Sequence, residues 1–183
     1  MFSAAALIRD KTWIMRAKYE RHTAKIDGDF VVFLIGARLV KPWLFWQIIP
    51  VGRAMDAMIK ELEARPELGY LGQESWNGTT TIQVQYWRSR EQLMAYARNR
   101  DNHHLPAWRH FNKVIAATTA VGIWHETFCV KAGEYECFYG NMPPFGLARA
   151  TERISAEGRS LTASGRLGLS KGDDAPEDTE LPS

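Results

Sequence analysis

The richest concentration of potential catalytic side chains is the segment 103–112, HHLPAWRHFN. His104, Trp108, Phe111 and Ile115 recur at spacings of four, three and four, so a helix places them on one face. An imidazole at the start of such an apolar stripe is either a general base or haem ligand at a cavity mouth, or a core histidine bonded to a backbone carbonyl. The pattern makes His104 a candidate catalytic residue and Trp108 a candidate pocket wall.

A second candidate pair is His125 and Glu126, in the run GIWHETF. On a strand these neighbours face opposite ways, so they cannot both line one cavity. We expect this strand to be central in its sheet, where a buried charge on either face is costly unless it is paired. We therefore expect one of the two to be functional, or paired with an arginine such as Arg38 or Arg109.

Further candidates for substrate binding are aromatic and polar residues scattered along the chain. Polar side chains of a predicted hairpin, such as Gln83 and Gln85, either hydrogen-bond a ligand or lie on the solvated side. The segment 135–147 is rich in Tyr, Met and Phe and is interpreted as an apolar lid or as a packed loop. The candidates are Arg38, Trp76, Trp124, Tyr139 and Asn141, of which Arg38 or Asn141 would stabilise an enolate oxygen.

Several classes of function are not favoured. The chain carries no G-x-G-x-x-G, P-loop, H-E-x-x-H or G-x-S-x-G motif. His103, His104 and His110 have no acidic or thiolate ligands at matching spacing, so no metal site is predicted. A net charge of +2 without a basic stripe argues against nucleic acid.

The cysteines and the apolar runs indicate the cellular setting. Cys129 and Cys137 lie in apolar surroundings and are predicted to be buried free thiols. No apolar run is long enough for a membrane span, and charged residues interrupt the apolar N-terminal run too early for a secretory signal. The prediction is a cytoplasmic protein without a membrane span.

These candidates must be positioned by a small α+β domain. The pattern predicts strands and helices in the order βαββαβ, the ferredoxin-like arrangement. The predicted elements are a strand over 30–40, a helix over 50–66, a hairpin of 68–76 and 79–87 around Asn77-Gly78, a helix capped by Ser89 and Gln92, a helix near Pro106 and a strand over 121–130.

The first strand has apolar residues on both of its faces. Tryptophans are also expected on the second face of the sheet, which the helices do not cover. Such a face needs a partner, which predicts a homodimer in which two sheets enclose the lumen of an αβ-barrel. Domain limits follow from composition: an N-terminal arm over 1–22, the barrel domain over 23–150, and a disordered acidic tail over 151–183.

Six segments resemble a known family. They are DGDFVVFLIGARLVKPW, ARPELGYLG, TTTIQVQYWRS, HLPAWRHFN, GIWHETF and YGNMPPFGL, between Tyr19 and Leu147. The family consists of small bacterial and fungal αβ-barrel proteins labelled monooxygenase-like, after a fungal member from the fumagillin biosynthetic cluster. The resemblance implies a dimeric ferredoxin-like fold and oxidation of a hydrophobic small molecule, without a metal or flavin. A haem-binding dehydratase or haem-degrading enzyme, with haem on a histidine, and a non-catalytic small-molecule binding protein are the alternatives.

Overall fold

The computed structural model describes residues 20–99, 101–102, 104–171 and 173–174, which form two compact units. The sheet unit runs from Asp29 to Lys131. The terminal unit combines the described residues up to Gly28 with those from Ala132 onward. The range 23–150, expected to be one domain, is therefore divided between the two units.

Helices and strands are numbered in chain order across both units. They are β1 (Arg21–Lys25), β2 (Phe30–Leu39), α1 (Ile48–Ala64), β3 (Tyr70–Trp76), β4 (Ile82–Trp87), α2 (Arg90–Arg98), α3 (His104–His110), β5 (Val121–Val130), β6 (Tyr139–Gly140), α4 (Leu147–Ala150), β7 (Glu152–Ser155) and α5 (Ala163–Arg166).

The sheet unit contains a four-stranded sheet in the order β3-β4-β2-β5, in which every neighbouring pair is antiparallel. Helix α1 connects β2 to β3, and α2 with α3 connects β4 to β5. This order confirms the predicted βαββαβ, ferredoxin-like α+β fold.

Local signals explain where the helices begin and end. Pro50 is tolerated in the first turn of α1, because the N–H groups there have no partner within the helix. Pro66 disfavours helical backbone at the preceding Arg65, which adopts φ −132° just after α1 ends. The Ser89 side chain accepts a hydrogen bond from the Gln92 N–H at 3.1 Å, which confirms the predicted cap of α2.

The hairpin connection differs from the two-residue turn predicted at Asn77-Gly78. Strand β3 ends at Trp76 and β4 begins at Ile82, so five residues form the loop. The reason is pairing with β2: the Thr81 N–H donates to the Ala37 carbonyl at 2.8 Å, and the Leu39 N–H donates to the Thr79 carbonyl at 3.0 Å. A side chain at Gly36 would collide with the Thr81 carbonyl, which explains the glycine there.

The terminal unit is built on a three-stranded sheet in the order β6-β1-β7. Strand β7 and helix α5 lie in the range 151–183, where composition predicts disorder, so the structure differs from that expectation over 152–166. Arg166 provides a physical reason: its guanidinium donates to the Glu136 carboxylate and lies over the Phe138 ring. Residues 1–19 of the predicted arm and 175–183 of the predicted tail lie outside the described residues.

Both cysteines are free, as predicted, but neither is fully buried. Cys137 is half-buried, whereas Cys129 is exposed on the edge strand β5, so the prediction of a buried thiol is wrong there. Among the described residues, no helix is long and apolar enough to cross a membrane.

Candidate functional site

A cavity of about 330 Å³ lies in the sheet unit, between one face of the sheet and the helices α1, α2 and α3. Alternate residues of a strand share a face, and the odd-numbered residues from Phe33 to Ala37 on β2 and from Ile123 to Thr127 on β5 line the cavity. The sheet contributes Phe33, Ile35, Ala37, Gln83, Ile123, His125 and Thr127, and the helices contribute Val51, Met55, Met58, Leu93, Ala97, His104 and Trp108, among others. The walls are therefore mostly apolar, with a few polar groups.

The cavity lies where the hydrophobic core is interrupted. One core cluster surrounds Val31 near the start of β2, and a second contains Ala37 near its end. Between them, Ile35 pairs in register with Gln83 on one side and His125 on the other. Ile35 thus has polar neighbours on both sides, in contrast to the apolar residues that make up the two clusters.

His104 is half-buried in the cavity wall at the start of α3. Its Nδ1 lies 2.9 Å from the Ala97 carbonyl oxygen. A carbonyl oxygen only accepts hydrogen bonds, so Nδ1 carries the proton and, in the neutral ring, Nε2 keeps a basic lone pair. The two interpretations of His104 are therefore compatible, since one nitrogen bonds a backbone carbonyl while the ring lines a cavity.

A polar network fixes the chain immediately before α3. The Tyr96 hydroxyl donates to Glu61 at 2.9 Å, Glu61 pairs with Arg65 at 3.6 Å, and Arg65 donates to the Asn102 side-chain oxygen at 3.1 Å. Burial, and then the neighbouring Glu61, raise the pKa of Tyr96 far above its usual range, so it remains a neutral donor. This network connects α1, α2 and the turn at Asn102, two residues before His104.

His125 and Glu126 lie on opposite faces, as predicted. His125 lines the cavity and its ring lies 5.7 Å from the Phe33 ring, whereas Glu126 pairs in register with Leu34 on the other face. The expectation that their strand is central is wrong, because β5 is an edge strand and both residues are exposed. Exposure to water removes the need to pair either charge.

The remaining candidates of the sheet unit divide between its two faces. Trp108, stacked on Phe111 at 5.9 Å, and Trp76 both line the cavity. Trp124 pairs in register with Gly36 on the opposite face, where its buried Nε1 has no hydrogen-bond partner among the described residues. Arg38 also belongs to that parity and donates to the Thr80 hydroxyl at 2.7 Å. The structure therefore does not bring Trp124 and Arg38 together with His104.

Tyr139 and Asn141 belong to the terminal unit. The Tyr139 ring stacks on the buried His22 ring at 5.2 Å, and the Asn141 N–H donates to the Glu20 carbonyl at 3.0 Å. Burial, followed by Arg153, lowers the pKa of His22. Both candidates have structural partners within their own unit.

Sequence reasoning did not select the α1 wall as part of the site, and it left open whether Gln83 binds a ligand or is solvated. Val51, Met55 and Met58 lie in the α1 wall of the cavity, and their spacings of four and three place them on one face of the helix. The available signal was chemical, since methionine adapts to irregular apolar surfaces and is frequent in binding sites. Among the described residues, no group of three or more His, Cys, Asp or Glu is arranged to hold a metal ion.

Comparisons with known proteins agree with the resemblance seen in the sequence. A family model described as monooxygenase af470-like matches residues 30–147, which include the sheet unit from β2 to β5. Monooxygenase af470 of Aspergillus fumigatus is 30% identical over 137 residues, covering 70% of this chain and 48% of that protein. The chain thus spans about half the length of this relative. No solved structure matches the chain. The chain belongs to the monooxygenase af470-like family.

Proposed function

We propose that the sheet unit is an oxygenase that binds a hydrophobic small molecule in the cavity and oxidises it with dioxygen. The observation that carries the proposal is His104: its Nδ1–H is held by the Ala97 carbonyl, which leaves Nε2 as a base in an apolar wall. Membership of a family named for a monooxygenase supports the reaction class.

The proposed chemistry begins with a CH2 group that is acidic because it is conjugated with a carbonyl, directly or through an aromatic ring. Nε2 of His104 removes one proton, and the resulting enolate reduces dioxygen and combines with it to a peroxide. Loss of the second proton from the same carbon, together with cleavage of the O–O bond, leaves a new carbonyl on the substrate and releases water. The substrate loses four electrons and dioxygen gains four, so this route needs no resident metal, flavin or haem.

The apolar walls have a chemical role in this scheme. Phe33, Met55 and Trp108 line the cavity and keep water from the enolate, which strengthens every electrostatic interaction that the site makes with it. His125 lies on the sheet side of the same cavity and is the second candidate base. Glu126, on the opposite face, has no place in this scheme.

Anthrone is a suitable test substrate because it is an apolar tricyclic ketone with an acidic CH2 group. We expect the protein to accelerate its conversion to anthraquinone with uptake of one dioxygen per molecule, above the rate in buffer. His104→Gln should lower the rate by about 10²- to 10⁴-fold, the usual contribution of a general base. An oxygen electrode measures the dioxygen uptake, and product absorbance measures the rate. When labelled dioxygen is supplied, oxygen-18 should appear in one of the two oxygens of the product.

Matched variants identify the base and test the alternatives. His125→Gln should retain most activity if His104 is the base, and full activity of the double variant would contradict the assignment. Binding of anthrone without any oxidation would favour a non-catalytic binding protein. A Soret band after haem addition that disappears in His104→Gln would favour a haem protein.

We also propose that the domain acts as a homodimer. Support comes from β5, a ten-residue edge strand with an exposed second face, on which Phe128 is 50% exposed. An edge strand and an exposed apolar residue are features that proteins usually cover. Light scattering should give twice the chain mass for the wild type, and Phe128→Glu should shift it toward the monomer. A monomeric wild type would contradict the proposal.

A further inference from the structure

Three side chains of β4 form a hydrogen-bonded file along the cavity face of the sheet. The Trp87 indole N–H donates to the Gln85 side-chain oxygen at 3.1 Å, and the Gln85 amide donates to the Gln83 side-chain oxygen at 3.2 Å. Trp87 is 1% exposed and Gln85 is 4% exposed, so the inner part of the file is buried. Only its last member, Gln83, lines the cavity.

The chemistry of Trp87 gives this file a direction. An indole N–H donates and cannot accept, so Gln85 must turn its oxygen toward Trp87 and its NH2 toward Gln83. Gln83 must then accept with its oxygen, which leaves its own NH2 as the end of the file. Since glutamine orientation is assigned from hydrogen bonding, the indole at the buried end decides the orientation of both amides.

Across the sheet, the Gln83 amide lies opposite His125. Both residues pair in register with Ile35, from the two strands that flank β2. Because neighbouring strands are about 4.8 Å apart, their Cα atoms are separated by about 10 Å across an apolar floor. The Gln83 NH2 has no acceptor among the described residues, so it is available to a molecule that lies over Ile35.

We propose that the Gln83 NH2 recognises a carbonyl or enolate oxygen, so that the cavity selects apolar ketones and their enols over hydrocarbons of the same shape. A preorganised amide donor stabilises an oxygen on which negative charge develops. The inference deepens the proposed function, on which its catalytic meaning rests, because the enolate formed by His104 needs such a donor. Gln83 thus takes the role for which the sequence suggested Arg38 or Asn141.

Fluorenone and fluorene have the same ring shape and differ only in that fluorenone has a C=O where fluorene has a CH2. Comparing their binding tests the selection without requiring any reaction. Titration calorimetry should show that the wild type binds fluorenone roughly three- to tenfold more tightly, the range expected for one neutral hydrogen bond. Gln83→Met should abolish this preference and leave fluorene affinity unchanged. Gln47→Met, outside the cavity, should retain the preference.

Two further measurements separate recognition from a structural effect. The C=O stretch of bound fluorenone should lie at lower frequency in the wild type than in Gln83→Met, since only a donor to the oxygen weakens that bond. Gln85→Met frees the Gln83 amide to rotate, so the preference should fall without vanishing. Thermal unfolding confirms that each variant is folded.

The outcomes distinguish the inference from the proposed function. Equal binding of fluorenone and fluorene, or an undiminished preference in Gln83→Met, overturns the role of Gln83 and leaves the oxygenase proposal standing. If neither compound binds the wild type, the cavity is not a site for apolar molecules, and both proposals are overturned. Loss of preference and of the infrared shift in Gln83→Met supports Gln83 as the donor.

Discussion

Two rows of side chains on the same sheet face, four residues apart on β2, differ in packing: one is buried in the core and the other lines the cavity. In the packed row, Val31 pairs with Trp87 and is buried with Leu62, Leu93 and other apolar residues. In the cavity row, Ile35 is flanked by Gln83 and His125 and lines an open space. Backbone and register are the same in both rows. The difference lies in the side chains that flank each strand position, which are polar on both sides of Ile35 and include the buried Trp87 beside Val31.

The largest effect should come from truncating one tryptophan in the packed row and one tryptophan of α3 that lines the cavity. Trp87→Ala removes a side chain that is 1% exposed, and we expect a loss of about 3–5 kcal/mol in the free energy of unfolding. Trp108 is 42% exposed at the cavity, so Trp108→Ala should cost far less stability but weaken fluorenone binding. Urea unfolding and calorimetry measure the two quantities, and equal destabilisation would contradict the contrast between the packed row and the cavity.

A second pair of variants enlarges one side chain in each row. Val31→Phe overfills a packed site and should destabilise the protein by about 1–3 kcal/mol. Ile35→Phe places the added ring in the cavity, so stability should be unchanged or higher by up to about 2 kcal/mol.

The ligand provides the control for this pair. Fluorenone should bind at least tenfold more weakly to Ile35→Phe, since the ring occupies its space, whereas any folded Val31→Phe protein should bind as the wild type does. Weak binding in both variants would mean that the rows are not independent.

The predictable parts of this fold are those with local signals. The apolar runs of β2 and β5 and the Ser89 cap gave the strands and α2, and the 104–115 stripe gave His104 and Trp108 a common face. Which sheet face the helices cover is not a local property. The sequence therefore made both Trp124 and Trp108 candidate substrate-binding residues, although Trp124 lies on the sheet face opposite the cavity.

Features that depend on distant partners could not be predicted. Thr81 pairs with β2 rather than extending the hairpin, and β7 is a strand because it pairs with β1 from the other end of the chain. Gln83 was recognised as a polar hairpin residue, but its role as a donor depends on Trp87, four positions further along β4. The buried indole of Trp87 orients the Gln85 amide, which in turn orients the Gln83 amide. A glutamine shows no such direction in a sequence.

The smallest effect concerns two histidines in packed and open surroundings. His22 is 4% exposed and stacked on Tyr139, whereas His125 is exposed in the cavity row. Burial lowers the pKa of His22 below its ordinary value of 6.5, and Arg153 acts in the same direction, while Glu20 opposes them. Between about pH 6.5 and the lower pKa of the folded chain, the unfolded chain binds a proton at His22 that the folded chain does not, so stability falls as the pH falls through this range.

His22→Phe keeps an aromatic ring against Tyr139 and removes the proton-binding site. Thermal unfolding from pH 7.5 to 5 should show a shallower loss of stability in this variant, by at most about 1.4 kcal/mol per pH unit, the slope for one proton. Leu169→Ala, at a side chain that is 78% exposed, should keep the wild-type slope. An unchanged slope of stability against pH in His22→Phe would mean that the packed environment of His22 does not disfavour its charged form. Packed and open sites would then differ in side-chain packing but not in how they treat charge.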